Sequence, residues 1–170
     1  MKGYLQVYTG NGKGKTTAAI GLAIRAAGAG LAVLFAQFVK GRKYNEIRGL
    51  ERYNDLITVK QFGRGCFIKD KPTTEDIESA RNGLAEIEID LKGNYRLVIL
   101  DEANIAVHFG LFTANELLRV VECRQPDCEV VITGRYAAQS ILDAADLVTE
   151  MKEVKHYFAK GVPSRDGIEQ

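Results

Sequence analysis

The nine residues Thr9-Gly10-Asn11-Gly12-Lys13-Gly14-Lys15-Thr16-Thr17 follow directly on a largely apolar run at residues 4–8, and no other stretch restricts the chain so much. Glycines let successive backbone N–H groups turn toward one anion with no Cβ in the way. Lys15 adds a mobile positive charge, and the Thr16 hydroxyl is the kind of oxygen that holds Mg²⁺. A helix that follows aims its positive end at the same phosphates. The usual spacing places a glycine where Thr9 stands; here it has moved to Gly10, so the loop is a variant. A glycine-rich turn that binds nothing is the bland alternative, and Gly14-Lys15-Thr16 between a strand and a helix argues against it.

Strands and helices alternate along the rest of the chain. Residues 16–29 carry Ala18, Ile20, Leu22, Ala23 and Ile24 in a helical pattern closed by Gly28 and Gly30. Residues 31–38 are almost continuously apolar, as in a strand buried on both faces of a parallel sheet. A third strand is expected at 56–62, and Ile77, Ala80, Leu84, Ile87 and Leu91 trace one face of a helix starting near Thr73 or Thr74. Further strands are expected at 97–100, 130–132 and 147–151, with helices at 113–121 and 140–145. This alternation specifies an α/β doubly wound domain. The longest irregular stretches are 40–54 and 63–72, and the tail at 155–170 is expected to be irregular, either fraying or covering a site.

A chain of 170 residues suits one domain that buries roughly 70% of its unfolded surface. With 23 basic and 22 acidic residues the net charge is +1, so the sequence as a whole carries no electrostatic footprint for nucleic acid or an anionic membrane. A small-molecule partner is favoured. Cys66, Cys123 and Cys128 are odd in number and lack CxxC spacing, which argues against a disulfide framework or a zinc site. No signal peptide or membrane-spanning run is evident, and a soluble, cytoplasmic protein is expected.

Leu97-Val98-Ile99-Leu100-Asp101-Glu102 is an apolar strand ending in two carboxylates. Alone this is a weak signal. Paired with a phosphate loop it is the expected holder of Mg²⁺, directly or through water. Thr133-Gly134-Arg135 follows the fifth strand at the edge where ligands bind in parallel sheets, which leaves Arg135 either facing phosphate or ribose or simply on the surface. Arg25 is a charge in an otherwise small and apolar helix. His108 and His156 complete no triad or metal cluster and read as packing or solvent histidines.

Six segments in one order resemble the P-loop type of ATP:cob(I)alamin (corrinoid) adenosyltransferase: residues 9–19, 25–28, 37–41, 97–102, 132–135 and 154–162. The similarity runs nearly end to end. It implies a RecA-like P-loop nucleotide-binding fold, with a mostly parallel sheet of about six strands, in a homodimer. The implied reaction moves the 5′-deoxyadenosyl group of ATP onto the cobalt of cob(I)alamin or cob(I)yrinic acid a,c-diamide and releases triphosphate, in adenosylcobalamin biosynthesis or salvage. In this family the nucleotide lies in the loop with reversed polarity, so that C5′ faces the nucleophile. Co(I) is itself the nucleophile, and the protein's expected tasks are in-line placement and stabilisation of the leaving triphosphate.

By resemblance, Gly10, Asn11, Gly12, Lys13, Gly14, Lys15, Thr16 and Thr17 bind ATP, joined by Arg25 and Arg135. Thr16 and Glu102, with Asp101, serve Mg²⁺ (or Mn²⁺), and Lys15, Thr16 and Glu102 carry the catalysis. A flavoprotein reductant is the implied partner. Two departures stand out. Where better-known members carry Gly-Phe-x-Trp against the lower corrinoid face, this chain reads Gly65-Cys66-Phe67-Ile68, leaving Phe67 as the corrinoid-side aromatic. The N-terminal extension of many members has no counterpart before the first strand, so the tail would do the covering or the corrinoid site would be more open. The competing readings are a P-loop phosphotransferase such as a nucleoside kinase, and a non-enzymatic ATP-dependent switch.

Overall fold

A computed structural model describes residues 2–63 and 71–169. Six strands, β1 (Leu5–Thr9), β2 (Val33–Phe38), β3 (Ile57–Phe62), β4 (Leu97–Asp101), β5 (Glu129–Thr133) and β6 (Leu147–Glu150), form one sheet in the order β3-β2-β4-β5-β1-β6. Every pairing is parallel, where a mostly parallel sheet is the sequence expectation. Register aligns Gln37 with both Gln61 and Asp101, which stacks three polar side chains near the C-terminal ends of β3, β2 and β4.

The pleat sorts the core into two layers. Val33, Phe35, Leu97, Ile99 and Val131 face one side with Ala19, Ala23, Ala26 and Ala27 of α1 (Lys15–Gly28) and Ile47 and Leu50 of α2 (Asn45–Leu50). Leu34, Ala36, Phe38, Val98, Leu100, Val130 and Ile132 face the other. There they meet α3 (Thr74–Leu91), α4 (Ala103–His108), α5 (Ala114–Glu122) and α6 (Gln139–Ala144). Each fully buried Leu, Ile or Phe contributes roughly 1.5–3 kcal/mol, so the wholly buried strands β2 and β4 anchor the sheet. The small alanine face of α1 lets that helix lie close to the sheet with its first turn at the loop.

Both longer helices after the sheet's midpoint start with reciprocal caps. Thr73 and Asp76 form a capping box at α3, and Thr113 and Glu116 form one at α5. Two short helices depart from the sequence reading. The stretch 40–54, expected to be irregular, contains α2 and a 3₁₀ turn (Glu51–Tyr53), and α4 begins directly after β4. Each has six residues, too few to show a periodicity, and α2 turns just two side chains, Ile47 and Leu50, into the core. Gly65, Cys66, Phe67 and Ile68 lie outside the described residues.

Candidate nucleotide-binding active site

The loop between β1 and α1 is shaped by what passes behind it. Gly10 has φ 92°, a conformation that disfavours any side chain, and a Cβ there would sit 2.5 Å from the Met151 carbonyl oxygen. A Cβ on Gly12 would lie 2.7 Å from the same oxygen. The chain leaving β6 thus runs against the loop, with the Gly12 N–H donating to Met151 O at 2.6 Å and the Met151 N–H to Thr9 O at 2.9 Å. The shifted glycine has a steric reason: the contact with Met151 falls on position 10. Gly14, at φ 124°, turns the chain into α1.

Lys15 Nζ donates to the carbonyl oxygens of Gly10 and Gly12, each at 2.7 Å, and lies over the loop. Burial lowers its pKa, as does Arg135, and Glu102 and Asp101 oppose the shift. Beneath it, Thr16 Oγ1 donates to Asp101 Oδ1 at 2.9 Å. Asp101 is fully buried and accepts also from Thr133 Oγ1 at 2.7 Å and from Gln37 Nε2 at 2.9 Å. Gln37 in turn accepts from Gln61 Nε2 at 2.9 Å. A buried carboxylate with this set of donors is well satisfied, and it fixes the Thr16 hydroxyl proton so that the oxygen's lone pairs are free for a cation.

Glu102 turns the other way. Its φ of 58° is left-handed, and the Glu102 N–H donates to Thr133 Oγ1 at 3.1 Å. Its carboxylate lines a pocket of about 600 Å³ and lies 4.0 Å from Lys40 Nζ, which is also 3.9 Å from Glu46. Burial raises the Glu102 pKa and the neighbouring Asp101 adds to the rise, while Lys40, Lys15 and Arg135 oppose it. Three non-glycine residues among those described have positive φ: Val39, just past β2; Glu102, just past β4; and Tyr136, three residues past β5. Each costs on the order of 1–3 kcal/mol, and all gather at the edge where ligands bind in parallel sheets.

The pocket is lined by Asn11, Gly12, Lys13, Gly14, Lys15, Thr16 and Thr17 of the loop, with Glu102 and Arg135 from the ends of β4 and β5. Gly10 contributes its carbonyl from behind, and Asp101 is buried below. Arg25 does not line the pocket: it is exposed ten residues beyond Lys15, roughly 15 Å further along α1. Sequence reasoning missed Lys40, Asn45, Glu46 and Ile20 as lining residues. The strained Val39 ahead of Lys40 has no signature in a single sequence. His156, read as a packing or solvent histidine, also lines the pocket, and its Nδ1 accepts from the Phe158 N–H at 3.0 Å.

The profile of the family described as ATP:corrinoid adenosyltransferase BtuR/CobO/CobP matches residues 1–170. The chain belongs to that family. It is 36% identical to a corrinoid adenosyltransferase of Pseudomonas aeruginosa over 172 residues, which cover 99% of this chain and 84% of the relative. Identity is 35% to a corrinoid adenosyltransferase of Escherichia coli K12 and 34% to the corrinoid adenosyltransferase CobA of Salmonella typhimurium. Each of these alignments covers 174 residues, 99% of this chain and 86% of the relative. Family membership makes the chain a transferase with ATP and a corrinoid as substrates.

A magnesium ion fits the donors of this adenosyltransferase pocket. Among the described residues no group of three or more His, Cys, Asp or Glu forms a cage, but Mg²⁺ characteristically takes one or two carboxylates, phosphate oxygens and water. Glu102 and the oriented Thr16 hydroxyl are such a partial set.

Proposed function

We propose that this chain moves the 5′-deoxyadenosyl group of ATP to the cobalt of a reduced corrinoid and releases triphosphate, in cobalamin biosynthesis or salvage. One observation carries the reading: in a chain matched by the family along its whole length, the phosphate loop and the Asp101-Glu102 pair meet across Thr16 at the ligand edge of the sheet. The cobalt electron pair forms the new bond to C5′, and the C5′–oxygen bond breaks with its electrons leaving on triphosphate. The protein therefore has to place C5′ in line and hold a highly charged leaving group.

Backbone N–H groups of residues 11 and 13–17 cradle the triphosphate, the Gly12 N–H being held by Met151 O, and Lys15 exchanges its two carbonyl partners for phosphate oxygens. Thr16 and Glu102 hold Mg²⁺, with Asp101 orienting Thr16 from below. When bound, the ion neutralises charge that builds on the leaving triphosphate. Arg135 faces the same pocket and contributes a fixed cation. Arg25 stands apart from that pocket and carries less of the reading. Phe67 is proposed as the corrinoid-side aromatic. A homodimer, a flavoprotein reductant and a cytoplasmic setting belong to the same proposal, the last in keeping with the finding that none of the described helices is long and apolar enough to cross a membrane.

The test is an anaerobic incubation with chemically reduced cob(I)alamin, ATP and Mg²⁺. Light-sensitive adenosylcobalamin together with tripolyphosphate is the expected outcome. Formation of ADP with a nucleoside acceptor, and no cobalt–carbon product, would replace this reading with a kinase.

A further inference from the structure

The segment 165–169 closes one side of the nucleotide pocket, and its contacts converge on one carboxylate. Glu169 accepts from Lys13 Nζ at 2.7 Å, from the Arg165 backbone N–H at 2.9 Å, and from Arg165 Nη2 and Nε at 3.0 and 3.2 Å. The Tyr157 hydroxyl donates to it as well, and Lys13 Nζ reaches that hydroxyl at 2.9 Å and Ile168 O at 3.1 Å. Arg165 lies 5.1 Å over the Tyr157 ring. Although the segment is on the surface, the Glu169 side chain is only 17% exposed.

A second tie fixes the far side. Asn45 Nδ2 donates to Asp166, and Asn45 with Glu46 lines the pocket from α2. The segment therefore spans from the phosphate loop to α2, and Gly167, Ile168 and Glu169 line the space between. Ile168 and Ile20 are the large apolar side chains among the lining residues, and Ile168 is exposed. A wall of this kind supplies what the charged loop does not, an apolar surface beside a nucleotide.

We infer that residues 165–169 form a wall of the ATP site and that Glu169 is the positioning residue that fastens this wall to Lys13 of the phosphate loop. The inference rests on the nucleotide reading of the pocket. A carboxylate beside a triphosphate would ordinarily repel it. Here Lys13 and Arg165 both pair with Glu169, so its charge is neutralised where it meets the loop, and Asp166 turns away to Asn45 on the far side. Lys13 spends its three N–H donors on the wall and Tyr157, so toward phosphate it acts through its charge.

Two opposed signs separate this role from simple repulsion. Titrations of ATP and of inorganic tripolyphosphate into wild type, Glu169→Ala, Lys13→Ala and the double variant read it directly. Expected are an ATP Kd about tenfold weaker for Glu169→Ala and no further loss from that change in the Lys13→Ala background. With a reduced corrinoid, the KM for ATP rises while kcat changes little. ATP also slows tryptic cleavage after Arg165 and Lys160 in the wild type, and much less in Glu169→Ala. Tighter or unchanged ATP binding in a folded Glu169→Ala protein overturns the wall. A wild type that binds neither ATP nor tripolyphosphate overturns the nucleotide reading itself.

Discussion

Thr16 Oγ1 and Asp101 Oδ1 meet at 2.9 Å across 85 residues of chain, joining the first turn of α1 to the end of β4. Because Asp101 also accepts from Thr133 and Gln37 while fully buried, it acts as a fixed acceptor behind the proposed Mg²⁺ site. Its oxygens are already committed to protein donors.

Asp101→Asn is expected to turn one acceptor into a donor facing donors. Outer-shell changes of this kind cost about 10–100-fold in metal affinity. The Mg²⁺ concentration giving half-maximal turnover should rise by that factor, with a lowered melting temperature. An unchanged Mg²⁺ titration would show that Asp101 does not orient Thr16.

Lys15→Ala removes the cation that lies over the loop. Loss of one preorganised charge-stabilising donor costs about 10²–10³-fold in turnover. Because Lys15 bridges the Gly10 and Gly12 carbonyls, tripolyphosphate binding should weaken as well. Calorimetry with tripolyphosphate checks this without the corrinoid, and wild-type affinity would remove Lys15 from the site.

Glu102 gives a prediction with a definite sign. Its folded pKa is raised, first by burial and then by Asp101, so the folded state binds the proton more tightly than the unfolded chain does. Stability contributed by the protonated form is then lost as pH climbs through the raised value, and the carboxylate is carried at a cost at neutral pH. In metal-free buffer Glu102→Gln should melt above the wild type at pH 7.5, with the gap closing on acidification, while Mg²⁺-dependent turnover collapses. A lower melting temperature at pH 7.5 would mean that Lys40 and Lys15 more than offset the burial. Lys40→Ala removes one of the opposing cations and should move the acid limb of turnover to higher pH.

Much of this geometry was legible in residue order. The buried strands β2, β4 and β5 announce themselves as continuous apolar runs, and Thr73 marks the start of α3 to within a residue because a capping box needs its side chain there. The phosphate loop and Asp101-Glu102 are local patterns and were readable for the same reason. Lys40, Asn45 and Glu46 were not, since their place at the pocket depends on the strained turn at Val39 and on a six-residue helix held by two buried side chains. The contacts of Glu169 span 156 residues to Lys13, a distance over which a single sequence gives no signal.

Packing around α3 yields a prediction in which two known effects oppose each other. Gly83 lies in that helix, and a helix interior gains about 1 kcal/mol when glycine becomes alanine. A Cβ on Gly83, however, would sit 2.6 Å from Cδ1 and 2.8 Å from Cβ of Phe62. The Phe62 ring has little room to retreat, because it packs on Phe38 with centroids 5.5 Å apart, and Phe38 packs on Phe112 at 5.3 Å. Overpacking of this sort costs about 1–3 kcal/mol. With backbone-near atoms of a wedged ring in the way, overlap outweighs propensity, and Gly83→Ala should lower the melting temperature. Gly21, in α1, has nothing within 4 Å of the corresponding position, so there propensity acts alone and Gly21→Ala should raise it. Thermal melts of the two variants side by side decide the matter. If both rise, the contact between Gly83 and Phe62 is looser than its geometry indicates; if both fall, the freedom of the α1 backbone contributes something that helix propensity does not describe.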